Sequence, residues 1–583
     1  MLILVADLDE AYRQIVEASM TNDQRVSVLT FVPLTVDSIA ACCILDEILQ
    51  KNHILNHFTI ITGYSDLTRS IEKGVEDETL PPSIILINCG ASISLFRKFQ
   101  NALNSSTIYV VDSHRPVNFE NLDNRLEQIK VFDDSLSIFD EVCGLPDSTL
   151  DEDNSIIIQG KRKTRSSSTQ IIKKIIDPNS PESISYLQNE RFSDPASIQF
   201  YMLASALNLT SLTILWYAIL GLTEHFLLEH ISNERYETLF NALQNEASRL
   251  TGGIELFTVL SDENDSEVVS PVNSVTVPIS AQNYIQPCID LRCNLMRHWT
   301  LSESMSASPF VVSRLKLWYH SGKERLQLFF AKMGVPLRDA NTSYISMSAD
   351  IRDSLISRFD QWCDRFGLTG IAFPSFVMKT GFLAPLAASD VVYGIRAKLV
   401  TKENKAGESF TKALSVLKNL NNPQLITEGV EEAKVRFKSI VSLGMELMNR
   451  KSTVILNVGP FRITYIHNAA ERGFPLEPSI LTELGQFLIQ AFREEEDAVV
   501  PIVVAAFDQE SQKWTIVAVS TGLEFGEVEA SRFGSYFIQA AKNAEIEIVM
   551  DSFDSFVCQV PNDILLVFVD QLTLLAMKEV DVN

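Results

Sequence analysis

No two of the eight cysteines, Cys42, Cys43, Cys89, Cys143, Cys288, Cys293, Cys363 and Cys558, stand in a Cys-x-x-Cys spacing. That argues against a zinc ribbon, and their scatter through apolar stretches suits reduced thiols in an intracellular compartment. A P-loop is missing too: Gly322-Lys323-Glu324 has neither the upstream glycine nor the following Ser or Thr, so ATP hydrolysis by this chain is not supported. Basic charge is in short supply. Lys and Arg number 49 against 74 Asp and Glu, a net charge of −25. A protein that coats duplex DNA by neutralising phosphates carries the opposite balance, whereas an acid excess suits solubility and basic protein partners. The first residues, MLILVADLDEAYRQIV, lack a basic n-region and meet an acid by Asp7, unlike a signal peptide. One run, Pro195 to Thr223, carries no charge and is long enough to cross a bilayer. Its Gln199, Asn208, Thr210, Ser211 and Thr213 would each need a partner in lipid, so the expectation is a buried helix pair and no membrane span.

What is present points to a large α/β protein. At 583 residues and 46% hydrophobic, the chain can bury more than one core. Residues 1 to about 135 alternate short apolar strands with amphipathic helices, the pattern of βαβ units on a parallel sheet. The expected strands are Val26 to Val32, Phe58 to Thr62, Ile84 to Ile87, Ile108 to Val111 and Ile129 to Phe132. Three of them end in polar clusters: Asp37-Ser38 after the first, Asn88-Cys89-Gly90 after the third, and Asp112-Ser113-His114-Arg115 after the fourth. Pro116 blocks further pairing, which places the last cluster on a loop at the carboxyl edge of the sheet, where such sheets build sites. Carboxylate and imidazole suit a divalent metal such as Mn or Zn, which makes Asp37, Asp112 and His114 candidate ligands. A polar loop in which Asp112 caps a turn fits the same spacing.

Further along, residues 136–181 gather acids from Asp140 to Asp153 and then the basic block Lys161-Arg162-Lys163-Thr164-Arg165, followed by Ser166-Ser167-Ser168. The block reads equally as a nuclear-localisation signal and as a solvated linker. From Glu182 to about 335 the expected pattern is helical, interrupted by SDENDSE at Ser261 to Glu267, with an apolar stripe over Leu315, Trp318, Leu326, Phe329, Phe330 and Met333 that reads as core. In residues 336–583, Ser346 to Phe366 reads as one amphipathic helix ending at Gly367, followed by a strand at Phe373 to Lys379 and a long helix at Asn422 to Arg450. Strands expected at Thr453 to Val458, Phe461 to Ile466, Val499 to Phe507, Trp514 to Val519 and Ile564 to Val569, with helices at Ser479 to Glu494 and Gly526 to Ala544, make a second α/β domain.

The motifs VD at Asp37, INCG at Asn88 and DSHRPVN at Asp112 to Asn118 resemble the DHH phosphoesterases, and specifically the cell division control protein 45 family of eukaryotic replication factors. Four further blocks resemble that family in the same order: LWYAILGLTEHFLLEHI, HWTLSESMSASPFVVSRLKLWYHSGKERL, AKMGVPL and AASDVVYGI. The resemblance implies a DHH-type amino-terminal domain on residues 1–135, a charged loop on 136–181, an all-helical middle region on 182–335 and a DHH-associated-like α/β domain on 336–583. Active relatives resemble the RecJ exonucleases, which hold two Mn ions on carboxylates and histidines. Here Thr35 stands where the first aspartate would be, Asn88 replaces the second-strand aspartate and Ser113 the middle histidine, so that only Asp37, Asp112 and His114 match. Two-metal chemistry needs the missing carboxylates, so the expectation is a degenerate site without a cofactor. The alternative is an active Mn-dependent phosphoesterase or single-strand 5′ exonuclease in which Asp66 or Asp134 substitutes. The function the resemblance implies is a nuclear, non-catalytic scaffold that joins the MCM hexamer, the GINS complex and other replication-initiation proteins. Single-stranded DNA is a further ligand to be considered, held by Lys and Arg of the carboxyl-terminal domain, although that domain shows only scattered glycines at Gly522 and Gly534.

Overall fold

The computed structural model describes residues 1–580 except 21–25, 124, 133–180, 252–282, 381–383, 400–405, 420–421, 468–473, 497–498 and 524–525. Asp134, the charged loop with its basic block and serines, and the SDENDSE segment lie outside the described residues.

A six-stranded, all-parallel sheet forms the amino-terminal part. Its strands are β1 (Leu2–Ile3), β2 (Val28–Pro33), β3 (Asn56–Ile61), β4 (Ser83–Ile87), β5 (Thr107–Val111) and β7 (Ile129–Phe132), in the order β1-β7-β5-β4-β2-β3. The five expected strands are all present. β1, too short to carry a periodicity, is added at the edge by pairing Leu2 with Val131. Helices α1 (Leu8–Met20), α2 (Val36–Lys51) and α3 (Tyr64–Glu76) follow β1, β2 and β3. α2 is buried nearly all round, which explains its weak amphipathic signal: IAACCILDEIL is covered by the sheet on one side and by later helices on the other.

Those covering helices come from the middle of the chain. α4 (Ala196–Ala206) and α5 (Leu212–Leu227) are the expected buried pair, and together with α6 (Asn233–Leu250) they share one core with α2. Among the described residues no helix is long and apolar enough to cross a membrane. The middle region is not all-helical, however. Two-residue strands β6 (His114–Arg115) and β8 (Arg191–Phe192) pair antiparallel, so the cluster expected on a loop is partly a strand. A full strand, β9 (Tyr284–Leu291), pairs antiparallel with β10 (Ala372–Lys379), and β10 with β11 (Leu386–Ala387). The expected boundary between 335 and 336 is therefore crossed by a sheet. β9 carries Pro287 and Asp290, which weaken its strand signal.

The stripe Leu315, Trp318, Leu326, Phe329, Phe330 and Met333 is core, as expected. The single helix expected over Ser346 to Phe366 is broken at Ser354 into Ala349–Asp353 and Leu355–Trp362, and the chain then turns at Gly367 with φ 75°. Helices α7 (Ala388–Leu399) and α8 (Pro423–Asn449) lead into a mixed five-stranded sheet, β12 (Ile455–Val458), β13 (Phe461–Ile466), β14 (Ile502–Asp508), β15 (Lys513–Val519) and β16 (Val557–Pro561), in which α9 (Pro478–Glu496) connects β13 to β14. The strand expected at Ile564 to Val569 is instead the start of the terminal helix α11 (Leu565–Val580), which follows α10 (Phe533–Ala544). Its buried Leu565, Phe568, Val569, Leu572 and Ala576 recur at helical spacing, a period that a six-residue window hides.

One buried ion cluster ties the β9–β10 sheet to α7. Arg297 reaches Asp290 at 2.9 Å and Asp390 at 3.3 Å, and Ser389 also donates to Asp290. Replacing Arg297 with Ala leaves two buried carboxylates without their shared cation, and we expect urea unfolding to show a loss of about 3–5 kcal/mol.

Candidate functional site

The polar clusters meet where the strand order reverses. β2 has β3 on one side and β4 on the other, so the loops after β2 and β4 diverge and leave a crevice at the carboxyl edge. After β2, the Thr35 hydroxyl caps α2 by accepting from the Ser38 N–H at 3.1 Å. Thr35 is thus a helix cap.

Asp37, in the first turn of α2, is 1% exposed. Its Oδ2 accepts from the Ala196 N–H at 2.9 Å and the Asn88 amide at 2.8 Å, and its Oδ1 accepts from the Ser197 N–H at 3.0 Å. The carboxylate therefore satisfies the orphan N–H groups that open α4. His225 Nε2 lies 3.7 Å away. Burial pushes the Asp37 carboxyl up, but His225 and the hydrogen bonds from Ser197 and Asn88 outweigh it and hold it down at about 2. A second acid that sequence reasoning missed, Glu224 on α5, accepts from the Val36 and Asp37 N–H groups at 3.1 and 2.7 Å and stands at the amino end of α2. Burial pushes its carboxyl up against the pull of Arg396, 3.6 Å away.

Asn88 follows β4 in the left-handed region at φ 45°, a conformation Asn tolerates. Its amide donates to Asp37 and to Ser38 Oγ at 2.9 Å, while its carbonyl accepts from the Ser113 N–H and hydroxyl at 3.1 and 2.9 Å. An amide can face Asp37 as a donor and Ser113 as an acceptor. A carboxylate could do only the second.

Asp112, buried at the end of β5, accepts from the Ala91 N–H at 3.0 Å, from the His114 N–H at 2.9 Å and from His114 Nδ1 at 2.7 Å. The other ring nitrogen of His114 faces Asp554 at 3.3 Å, from the carboxyl-terminal part of the chain. Burial works against charge on His114, but Asp112 and Asp554 overcome it and raise the imidazole to about 10. Burial likewise works against ionised Asp112, and His114 holds its carboxyl below the ordinary range. The five positions Asp37, Asn88, Asp112, Ser113 and His114 thus form one contiguous network through Asn88 and Ser113. Asp66, by contrast, is half-buried in the first turn of α3, where it accepts from Thr62, and is not brought to the site.

His114 opens onto a cleft of about 540 Å3 between the two α/β parts, lined by Tyr64, Lys98, Glu190, His230, Ser531 and Asp554 among others. The oxygens of Asp37 and Asp112 and both ring nitrogens of His114 already face partners in the chain. Among the described residues no group of three or more His, Cys, Asp or Glu is arranged to hold a metal ion. The residues present do not fit a Mn pair. Of the groups that complete the network, Glu224 and His225 had a visible signal, an acid and a histidine inside an otherwise apolar helix; Ala196, Ser197 and Asp554 had none.

Two measurements probe this network. Asn88→Asp sets a second carboxylate against Asp37, and one of the pair must then take up a proton; the loss of stability, about 3 kcal/mol at neutral pH, shrinks as pH falls toward the ordinary carboxylate value of about 4. His114 is held at about 10 in the folded chain against about 6.5 unfolded, so its contribution is complete below about pH 6.5 and is lost as pH rises toward 10. The urea midpoints of wild type and His114→Gln should therefore converge between neutral and alkaline pH.

The sequence matches the CDC45 family over residues 28–143, 146–407 and 398–575. It is 27% identical to the cell division control protein 45 homolog of Dictyostelium discoideum, over 94% of this chain and 95% of that protein. The human homolog is 25% identical over 98% of this chain and 99% of its own length. The crystal structure of CDC45 from Entamoeba histolytica superposes with a TM-score of 0.71 at 21% identity, covering 98% of this chain and 99% of that one. With the family matched along nearly the whole described chain, and with the motifs at Asp37, Asn88 and Asp112 set at one edge of a parallel sheet, this protein belongs to the CDC45 family.

Proposed function

We propose that this chain is a non-catalytic replication factor, an accessory subunit and scaffold of the eukaryotic replicative helicase that joins the MCM hexamer and the GINS complex in the nucleus and serves both initiation and fork progression. The observation that carries the non-catalytic half is the use of Asp37, Asp112 and His114 as internal partners: each acid is an acceptor for chain N–H groups, and the imidazole bridges two carboxylates. A hydrolase would need those lone pairs for metal and for activating water. The accessory half is supported by the family match over nearly the whole chain and by the absence of a P-loop motif, which leaves the ATPase to a partner. Net charge of −25 suits protein contacts more than duplex binding. Contact with single-stranded DNA is part of the proposal, supported by the basic Lys98 and Arg191 at the cleft; its signature is affinity that falls steeply with salt.

The decisive experiment pairs calorimetry with Mn2+ and hydrolysis of 5′-labelled single-stranded DNA, alongside co-purification of the chain with MCM and GINS. The expected result is no two-site Mn2+ binding, no nucleotide release and a stable complex. Two bound ions with turnover abolished by Asp112→Ala and His114→Ala would establish the alternative, an active Mn-dependent phosphoesterase or 5′ exonuclease.

A further inference from the structure

The cleft has two unlike sides. On one, α9 is fastened to the end of α5, where Gln486 donates to the Leu228 carbonyl at 2.7 Å and Gln490 to Glu229 at 2.7 Å, and the Asn233 N–H that opens α6 donates to the Gly526 carbonyl at 2.9 Å. On the other, two short segments of the carboxyl-terminal part grip the amino-terminal part with polar contacts. Glu190 and Ser531 exchange backbone hydrogen bonds at 2.8 and 2.7 Å, Arg532 donates to the Asn189 side chain at 3.0 Å, and the Glu190 carboxylate meets the Gly534 N–H that opens α10. Next to this grip, the loop from Asp551 caps α3. The Asp551 carbonyl accepts from the Tyr64 N–H at 2.9 Å and its carboxylate from the Ser65 N–H at 2.6 Å, Phe553 packs edge-on against Tyr64, and Asp554 faces His114.

Both grips are sized for glycine. A Cβ on Gly63 would stand 2.5 Å from the Asp551 carbonyl oxygen, and one on Gly534 would stand 2.1 Å from the Glu190 carboxylate. Gly63 has φ −170°, an extended conformation open to any residue, so its own backbone does not call for glycine; the neighbouring Asp551 does. Residues 551–556 are all half-buried or more, and Phe553 is the side chain through which this loop joins the amino-terminal core. Polar contacts of this kind contribute little net stability each, and Phe553 is the apolar side chain that must leave the amino-terminal core when they break.

We propose that the Glu190–Ser531 and Gly63–Asp551 contacts are a latch that holds the cleft shut and opens as one unit about the α5–α9 side, while both α/β cores stay folded. The opened latch uncovers the amino end of α10, the amino end of α3 and the apolar lining of the cleft.

Hydrogen exchange on the full chain tests it. In wild type, the Tyr64, Ser65, Glu190 and Ser531 amides are expected to exchange together and well ahead of β4 and β5 amides such as Ile85 and Val110. Gly63→Ala should speed the amides at both grips by about tenfold or more, the 190/531 pair included, and leave β4 and β5 unchanged. Asp551→Asn, which keeps the steric fit and weakens the cap, should do the same to a smaller degree and covers the case in which Gly63→Ala does not fold. Exchange of the four amides at the rate of the core would overturn the latch. So would acceleration confined to residues 64–65 in the variants, since the two grips would then be separate contacts.

Discussion

Asp37 puts a buried negative charge at the point where the parallel sheet reverses its order, and the surrounding chain is arranged to satisfy it. Two N–H groups from the start of α4, the Asn88 amide and the His225 imidazole converge on one carboxylate. Through those contacts the loop after β2, the loop after β4 and two helices more than a hundred residues downstream are held in one geometry. A buried charge is costly when any of its partners is removed, so each contact constrains the rest. The helices α4 and α5 that cover α2 are thereby fixed in register on the sheet.

The polar residues at the sheet edge are turned inward. Thr35 caps a helix, Asn88 donates where a carboxylate would repel Asp37, and Ser113 donates its hydroxyl to the Asn88 carbonyl. Asp112 pairs with His114, and Asp554 extends that pair across the cleft.

Much of this was legible in the sequence because the amino-terminal strands are short, β-branched and fully buried, and because polar residues directly follow them. Residues near in sequence to their strand, Asp37, Asn88, Asp112, Ser113 and His114, were found for that reason. Partners that arrive from a distance were not. Ala196 and Ser197 contribute only backbone N–H groups, which no side-chain pattern reveals, and Asp554 sits in a loop whose polar residues look like any other. Pro287 in the middle of β9 and Asp290 near its end hide that strand, and Leu565 to Val569 reads as a strand because its apolar run precedes the visible helical period of α11. Asp66 has the right charge and lies near a strand end, yet its carboxylate is taken up by Thr62.

The core that covers α2 draws on residues from Ile3 to Phe437. During synthesis, the first strands and helices emerge long before α7 and α8, which supply Val391, Ile395, Val430 and Phe437 to that core. The nascent amino-terminal half must therefore wait with an apolar helix face uncovered until three quarters of the chain has been made, a state in which such surfaces invite association with chaperones or with each other. Truncations that end before α8 are for the same reason unsuited to independent folding, however complete their parallel sheet.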